Sequence, residues 1–142
     1  MAVNAYLNFD GNAREVVNYY AEVFETEAPY IQTFREGMGE DPGFEMPEKD
    51  KDLVMHSAIM IDGSALMISD TFSGMGEYIL GNNISLALVT KDGAYLKRVY
   101  DRLSEAGTVT MALGPVGWSP AYGMLVDKFG IAWLLSQEPD AE

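Results

Sequence analysis

The chain of 142 residues has no cysteine and a single histidine, His56. Without cysteine there are no disulfides, no thiol nucleophile and no thiolate metal site. A first-row metal centre needs three or more His, Cys or carboxylate donors, and one imidazole supplies little of that. Basic residues are also scarce: 9 Lys and Arg stand against 22 Asp and Glu, a formal net charge of −13. Such a surface repels phosphate backbones and anionic lipid, so neither nucleic acid nor membrane is an expected partner, and solubility is the main consequence of the charge. No apolar run approaches the roughly 18 residues that cross a bilayer. No basic start leads into an apolar stretch, so no signal peptide is expected. These absences together point to a cytoplasmic protein.

What is present is a core-forming composition, 48% hydrophobic, in a length that suits one domain, 1–142. The chain also carries one supersecondary unit twice. Phe9-Asp10-Gly11-Asn12-Ala13 precedes one helical stretch, and Val89-Thr90-Lys91-Asp92-Gly93-Ala94 precedes another. Each half ends in two apolar strands around a turn, Ile59 to Met67 in the first and Leu125 to Leu134 in the second. Such repeats pack because neither copy buries its apolar face alone. The modules run from about 1 to 72 and from about 82 to 137, and a cleft between two such copies is a natural place for a ligand.

Val3, Ala5, Leu7 and Phe9 alternate with Asn4, Tyr6, Asn8 and Asp10, the period of a strand with one polar face. Asn12 and Glu15 have capping-box spacing for a helix whose apolar stripe is Ala13, Val16, Val17, Tyr20, Val23 and Phe24. Pro29 to Phe34 reads as a short strand. Glu36 to Asp52 reads as a long acidic loop, with Glu36, Glu40, Asp41, Glu45, Glu48, Asp50 and Asp52. Its acidic residues lack the ordered alternation of a calcium loop, so it reads as a solvated lid. Leu53 to Ile61 and Ser64 to Ser69 form a hairpin through Asp62-Gly63, a pair suited to a type I′ turn. Asn83 to Val89 is a strand, and Asp92 caps a second helix through Leu96, Val99, Tyr100 and Leu103, with Gly107 at its exit. Thr108 to Leu113, Ala121 to Val126 and Ile131 to Ser136 complete the second module. The predicted fold is α+β, two βαβββ modules.

The chain resembles the vicinal oxygen chelate superfamily, also called the glyoxalase/bleomycin resistance/dioxygenase fold, and within it the PhnB-like, "3-demethylubiquinone methyltransferase-like", branch. The resemblance rests on Ala5 to Glu15, Tyr20 to Phe24, Met55-His56-Ser57-Ala58, Leu66 to Asp70, and Tyr122 to Trp133, in that order and spacing. It implies two modules curling eight strands into an open cup, usually in a homodimer. Metal enzymes of the superfamily set four ligands on four strands lining the cup. The equivalent positions here fall near Tyr6, Met67, Ser85 and Leu134, none of which is a usual ligand. The resemblance thus carries over the fold without a metal or other cofactor. Adenosylmethionine enzymes bind their methyl donor through a glycine-rich turn after a parallel strand. Gly37-Met38-Gly39 and Gly74-Met75-Gly76 read as loop glycines without that context.

The residues expected to line a ligand site are Tyr6, Asn8, His56, Met67, Ser85 and Trp118. Tyr6 and His56 would anchor polar groups, while Met67 and Trp118 would give apolar contact. Asp70 reads as a residue that caps or turns the chain, or else as one that orients His56. Asp127 reads as a turn former with Gly130, above a Phe129 that plugs the core. Trp133 suits a core role. Met55, Met60, Met67, Met111 and Met124 suit core packing or an adaptable apolar cup. The leading reading is a metal-free homodimer binding a small apolar or aromatic molecule. The alternatives are a metal-dependent lyase, isomerase or dioxygenase using His56 with carboxylates such as Asp70, and an interaction module whose cup is filled by its own side chains.

Overall fold

In a computed structural model, residues 3–38 and 45–140 are described. Their contacts divide the chain into two units, 1–79 and 80–142. The first unit is β1 (Ala5–Phe9), α1 (Ala13–Val23), β2 (Tyr30–Thr33), α2 (Phe34–Met38), β3 (Val54–Ile61) and β4 (Ser64–Asp70). The second is β5 (Ser85–Thr90), α3 (Gly93–Ala106), β6 (Thr108–Val116), β7 (Ser119–Val126) and β8 (Ala132–Gln137). Each unit is a βαβββ module, and the eight strands form two four-stranded sheets, ordered β1-β4-β3-β2 and β5-β8-β7-β6. The fold is α+β.

The modules share one plan. The opening strand runs parallel to the last one, so β1 pairs with β4 and β5 with β8, while the other neighbours are antiparallel. In the first unit α1 packs on β3 and β4. It buries Ala13, Val16, Val17 and Tyr20, and the sheet answers with Ile59, Leu66 and Ile68. In the second, Leu96, Val99 and Leu103 of α3 are buried along with Leu88, Leu125, Trp133 and Leu135 of the sheet. One face of each sheet is therefore taken by its helix, and alternation assigns the intervening side chains to the other face.

Local chemistry departs from the sequence reading at the start of α1. Asn12 makes no side-chain cap to α1; the Ala13 N–H donates instead to Asp70 Oδ1 at 2.9 Å. Asp92 does cap α3, accepting from the Tyr95 N–H at 3.0 Å. Gly107 ends α3 in an extended conformation, φ −102°. It is glycine because a Cβ there would lie 2.5 Å from the Val126 carbonyl oxygen and 2.7 Å from that of Leu103, not because the turn is left-handed. The Asp62-Gly63 turn follows expectation, with φ +47° and +82°.

The acidic segment is structured where it is described. Phe34–Met38 is helical, Glu48–Asp50 forms a 3-10 turn, and Glu40 and Asp41 lie outside the described residues. Arg35 bridges Glu48 and Asp52, each at 2.9 Å. The Lys51 ammonium and then Arg35 hold the Glu48 carboxyl below its ordinary range, and Asp52 with Glu48 pushes the Arg35 guanidinium further up.

Candidate functional site

The first unit's sheet presents an aromatic and polar face away from α1. Tyr6 lies beside Met67 and Asn8 beside Ser69. Met67 stands opposite Ala58, and Ala58 opposite Tyr30, with Gln32 opposite His56. Tyr6, Met67, Ala58 and Tyr30 form one row across four strands, and Asn8, Ser69, His56 and Gln32 form the next. Four of the six expected lining residues, Tyr6, Asn8, His56 and Met67, are thus brought together on one surface. Tyr30 was missed from sequence, because nothing in Pro29 to Phe34 tells which strand it pairs with.

His56 sits between two phenols. The Tyr6 hydroxyl is hydrogen-bonded to Nδ1 at 3.3 Å, with the two rings 5.8 Å apart, and the Tyr30 ring lies 6.5 Å from the imidazole on a tilt. Among the described residues His56 Nε2 has no hydrogen-bond partner. Tyr6 and Tyr30 remain 44% and 59% exposed. Asn8 is held by the Ser69 hydroxyl, which donates to its Oδ1 at 3.3 Å. Flat rings with a free ring nitrogen and a phenol offer apolar area plus directional hydrogen bonds.

Ser85 and Trp118 belong to the second unit. Ser85 shares a face with Ala87, which pairs with Leu134, and Leu134 stands opposite Met124. Trp118, in the turn from β6 to β7, is 66% exposed and packs edge-on against Tyr122 with ring centres 5.4 Å apart. Trp133 is 4% exposed; its indole N–H donates to Asp127 Oδ2 at 2.8 Å. Asp127 Oδ1 accepts from the N–H of Phe129 and of Ile131, so this aspartate is structural. Phe129 is half-buried. The five strand methionines are not core either. None is buried, and Met60, Met67, Met111 and Met124 occupy the helix-free faces.

Asp70 does not orient His56. It is 4% exposed, and both its oxygens are taken, by the N–H of Ala13 and of Val54, each at 2.9 Å. Register sets it on the helix side of the sheet, opposite in parity to Ser69 and the His56 row. Among the described residues no three His, Asp or Glu side chains are grouped so as to hold a metal ion. At the positions that the resemblance equates with metal ligands, Tyr6 and Met67 in one sheet and Ser85 and Leu134 in the other offer weak donors or none.

The model of the family described as 3-demethylubiquinone-9 3-methyltransferase matches residues 1–136. Protein YjdN of Escherichia coli K12 is 28% identical, the match covering 96% of this chain and 95% of YjdN. The crystal structure of PA1353 from Pseudomonas aeruginosa is 32% identical with a TM-score of 0.77, covering 99% of each chain. A PhnB protein from Bacillus cereus is 24% identical with a TM-score of 0.72, covering 96% of this chain and 99% of its own. A glyoxylase/bleomycin resistance protein/dioxygenase domain from Frankia shares the fold at 11% identity and a TM-score of 0.64, covering 98% of each. The family name implies a methyl donor, and the residues do not fit one. Gly37 lies inside α2, not in a loop, where its missing Cβ makes room for Met55. Gly74 sits in a 3-10 turn, and the β1–α1 turn has Gly11 alone.

Proposed function

The chain belongs to the 3-demethylubiquinone-9 3-methyltransferase (PhnB-like) family with the glyoxalase/bleomycin resistance/dioxygenase fold, and on that footing we propose that it binds a small apolar or aromatic molecule, without a metal, on the helix-free face of its first module. The observation that carries the reading is the hydrogen-bonded Tyr6–His56 pair flanked by Tyr30 on an exposed sheet face. A structural histidine does not need two aromatic neighbours left open to solvent. His56 Nε2 and the Tyr6 phenol take the ligand's polar group, Asn8 adds a carboxamide, and Met67 and Tyr30 take its flat apolar part. Ser85 and Trp118 serve the same kind of ligand on the second module's face. The working form is a cytoplasmic homodimer, which light scattering checks.

The test is a thermal-shift screen with simple phenols, aryl carboxylates and quinones. A ligand that binds the folded state raises its melting temperature by mass action. Hits should lose their shift in Tyr6→Ala and His56→Ala while keeping it in Glu105→Gln, a change on α3. Hits unaffected by either site change overturn the proposal.

A further inference from the structure

The four strands of the first sheet hold one charged residue among them, Asp70, in a chain whose net charge is −13. Asp70 lies on the helix side, with both oxygens taken by backbone N–H groups. The strand face that carries Tyr6 and His56 therefore has no Asp, Glu, Lys or Arg. An aryl carboxylate laid on it would shed water with no cation to replace the loss, inside a field that already repels anions. What the face does offer is hydrogen bonding of a paired kind. The Tyr6 hydroxyl and His56 Nδ1 share one hydrogen bond at 3.3 Å. When the phenol donates it, Nε2 carries the ring proton and donates outward, while the phenol oxygen accepts. When Nδ1 donates it, Nε2 accepts and the phenol proton points outward. Either way the neutral pair presents one donor and one acceptor, and one tautomer is the reverse of the other. Asn8 extends the pair. Its Oδ1 is engaged by the Ser69 hydroxyl, which leaves the carboxamide N–H groups to donate.

We infer, resting on the binding face proposed above, that its ligands are uncharged planar rings bearing an N–H or O–H beside a carbonyl, as on the edge of a lactam or imide, and that aryl carboxylates are turned away. Such an edge meets the Tyr6–His56 pair donor to acceptor and acceptor to donor. The coupled tautomer lets the edge be met in either orientation. A ring with an acceptor alone satisfies one member of the pair and takes water from the other, which is costly. A second carbonyl on the ring is where the Asn8 amide donates. Tyr30 and Met67, on either side of Ala58 in the adjoining row, take the flat part.

Three flat bicyclic probes of one size, titrated into the full chain at pH 8, test this: 2-quinolone, an uncharged lactam; quinoline, an acceptor alone; and 2-naphthoate, an anion. The ring signal of His56, the chain's one histidine, reads each titration at this face and not elsewhere. The expected result is that 2-quinolone saturates the signal about fivefold or more tighter than quinoline, the worth of roughly one hydrogen bond left unmade, and tighter than 2-naphthoate by a larger factor. Tyr6→Phe removes half of the pair and should bring the quinolone-to-quinoline ratio down to about twofold or less, whereas Glu105→Gln, on α3, leaves it as in wild type. Binding of 2-naphthoate as tight as that of 2-quinolone, or a ratio that survives in Tyr6→Phe, overturns the inference and leaves the binding face itself standing. Failure of every probe to move the signal overturns both.

Discussion

The Asp70 carboxylate caps helix α1 at Ala13, 57 residues earlier in the chain, while its second oxygen takes the N–H of Val54. One side chain at the end of β4 therefore ties together the start of a helix and the start of β3. It is buried, so its removal strands two backbone donors from water. Asp70→Ala should cost about 2–4 kcal/mol of unfolding free energy in a urea titration, from roughly 1–3 kcal/mol per orphaned buried group. A cost under about 0.5 kcal/mol would show that the bond pair contributes little.

The two helices offer a matched comparison. Asp92 caps α3 with its own side chain, while Asn12 caps nothing. Asp92→Ala should destabilise by about 1 kcal/mol, and Asn12→Ala by less than about 0.5 kcal/mol. Equal losses in the two variants would restore Asn12 as a cap.

That contrast shows how far the sequence could be read. Period-two alternation from Ala5 to Phe9 and the Asp62-Gly63 turn are local signals, and the first module's hairpin followed from them. Tyr6, Asn8, His56 and Met67 share a face because each follows the parity of its own strand. Capping by Asp70 is a contact over 57 residues, and a good local cap spacing at Asn12 gives no sign that the position is already served. Tyr30 joined the His56 face only through the β2–β3 register, which its own four residues do not specify. Gly107 stands at the exit of α3 as its place in the sequence suggests; what a side chain there would meet is the Val126 backbone, and a close approach of that kind leaves no local trace.

The Arg35, Lys51 and Glu48 cluster responds to pH with a definite sign. The Glu48 carboxyl is held low by Lys51 and Arg35. Its contribution is complete above the ordinary glutamate pKa and is lost as pH falls through the lower, folded value. Lys51→Met should move the Glu48 titration, followed by carboxyl NMR, back up toward the ordinary range, and Arg35→Met should do so to a smaller degree. Added salt should narrow the difference between wild type and variants, since every partner is solvent-accessible. An unmoved titration in both variants would dissolve the cluster.

The two tryptophans are optical opposites. Trp118 is 66% exposed and Trp133 4%. Acrylamide should quench the emission of Trp133→Phe, which reports Trp118, several-fold more efficiently than that of Trp118→Phe. Ligand on the second module's face should perturb the first variant and leave the second unchanged. Similar quenching in both would contradict the burial of Trp133 against Asp127.

Because His56 is the chain's one histidine, its imidazole gives a single ring signal in a proton–nitrogen NMR spectrum, undisturbed by any other. A binding aromatic molecule should shift that signal in a saturable way, with the larger change at Nε2, the nitrogen without a partner, and Tyr6→Phe should weaken the titration. Saturable binding that leaves the His56 ring signal in place would contradict the account.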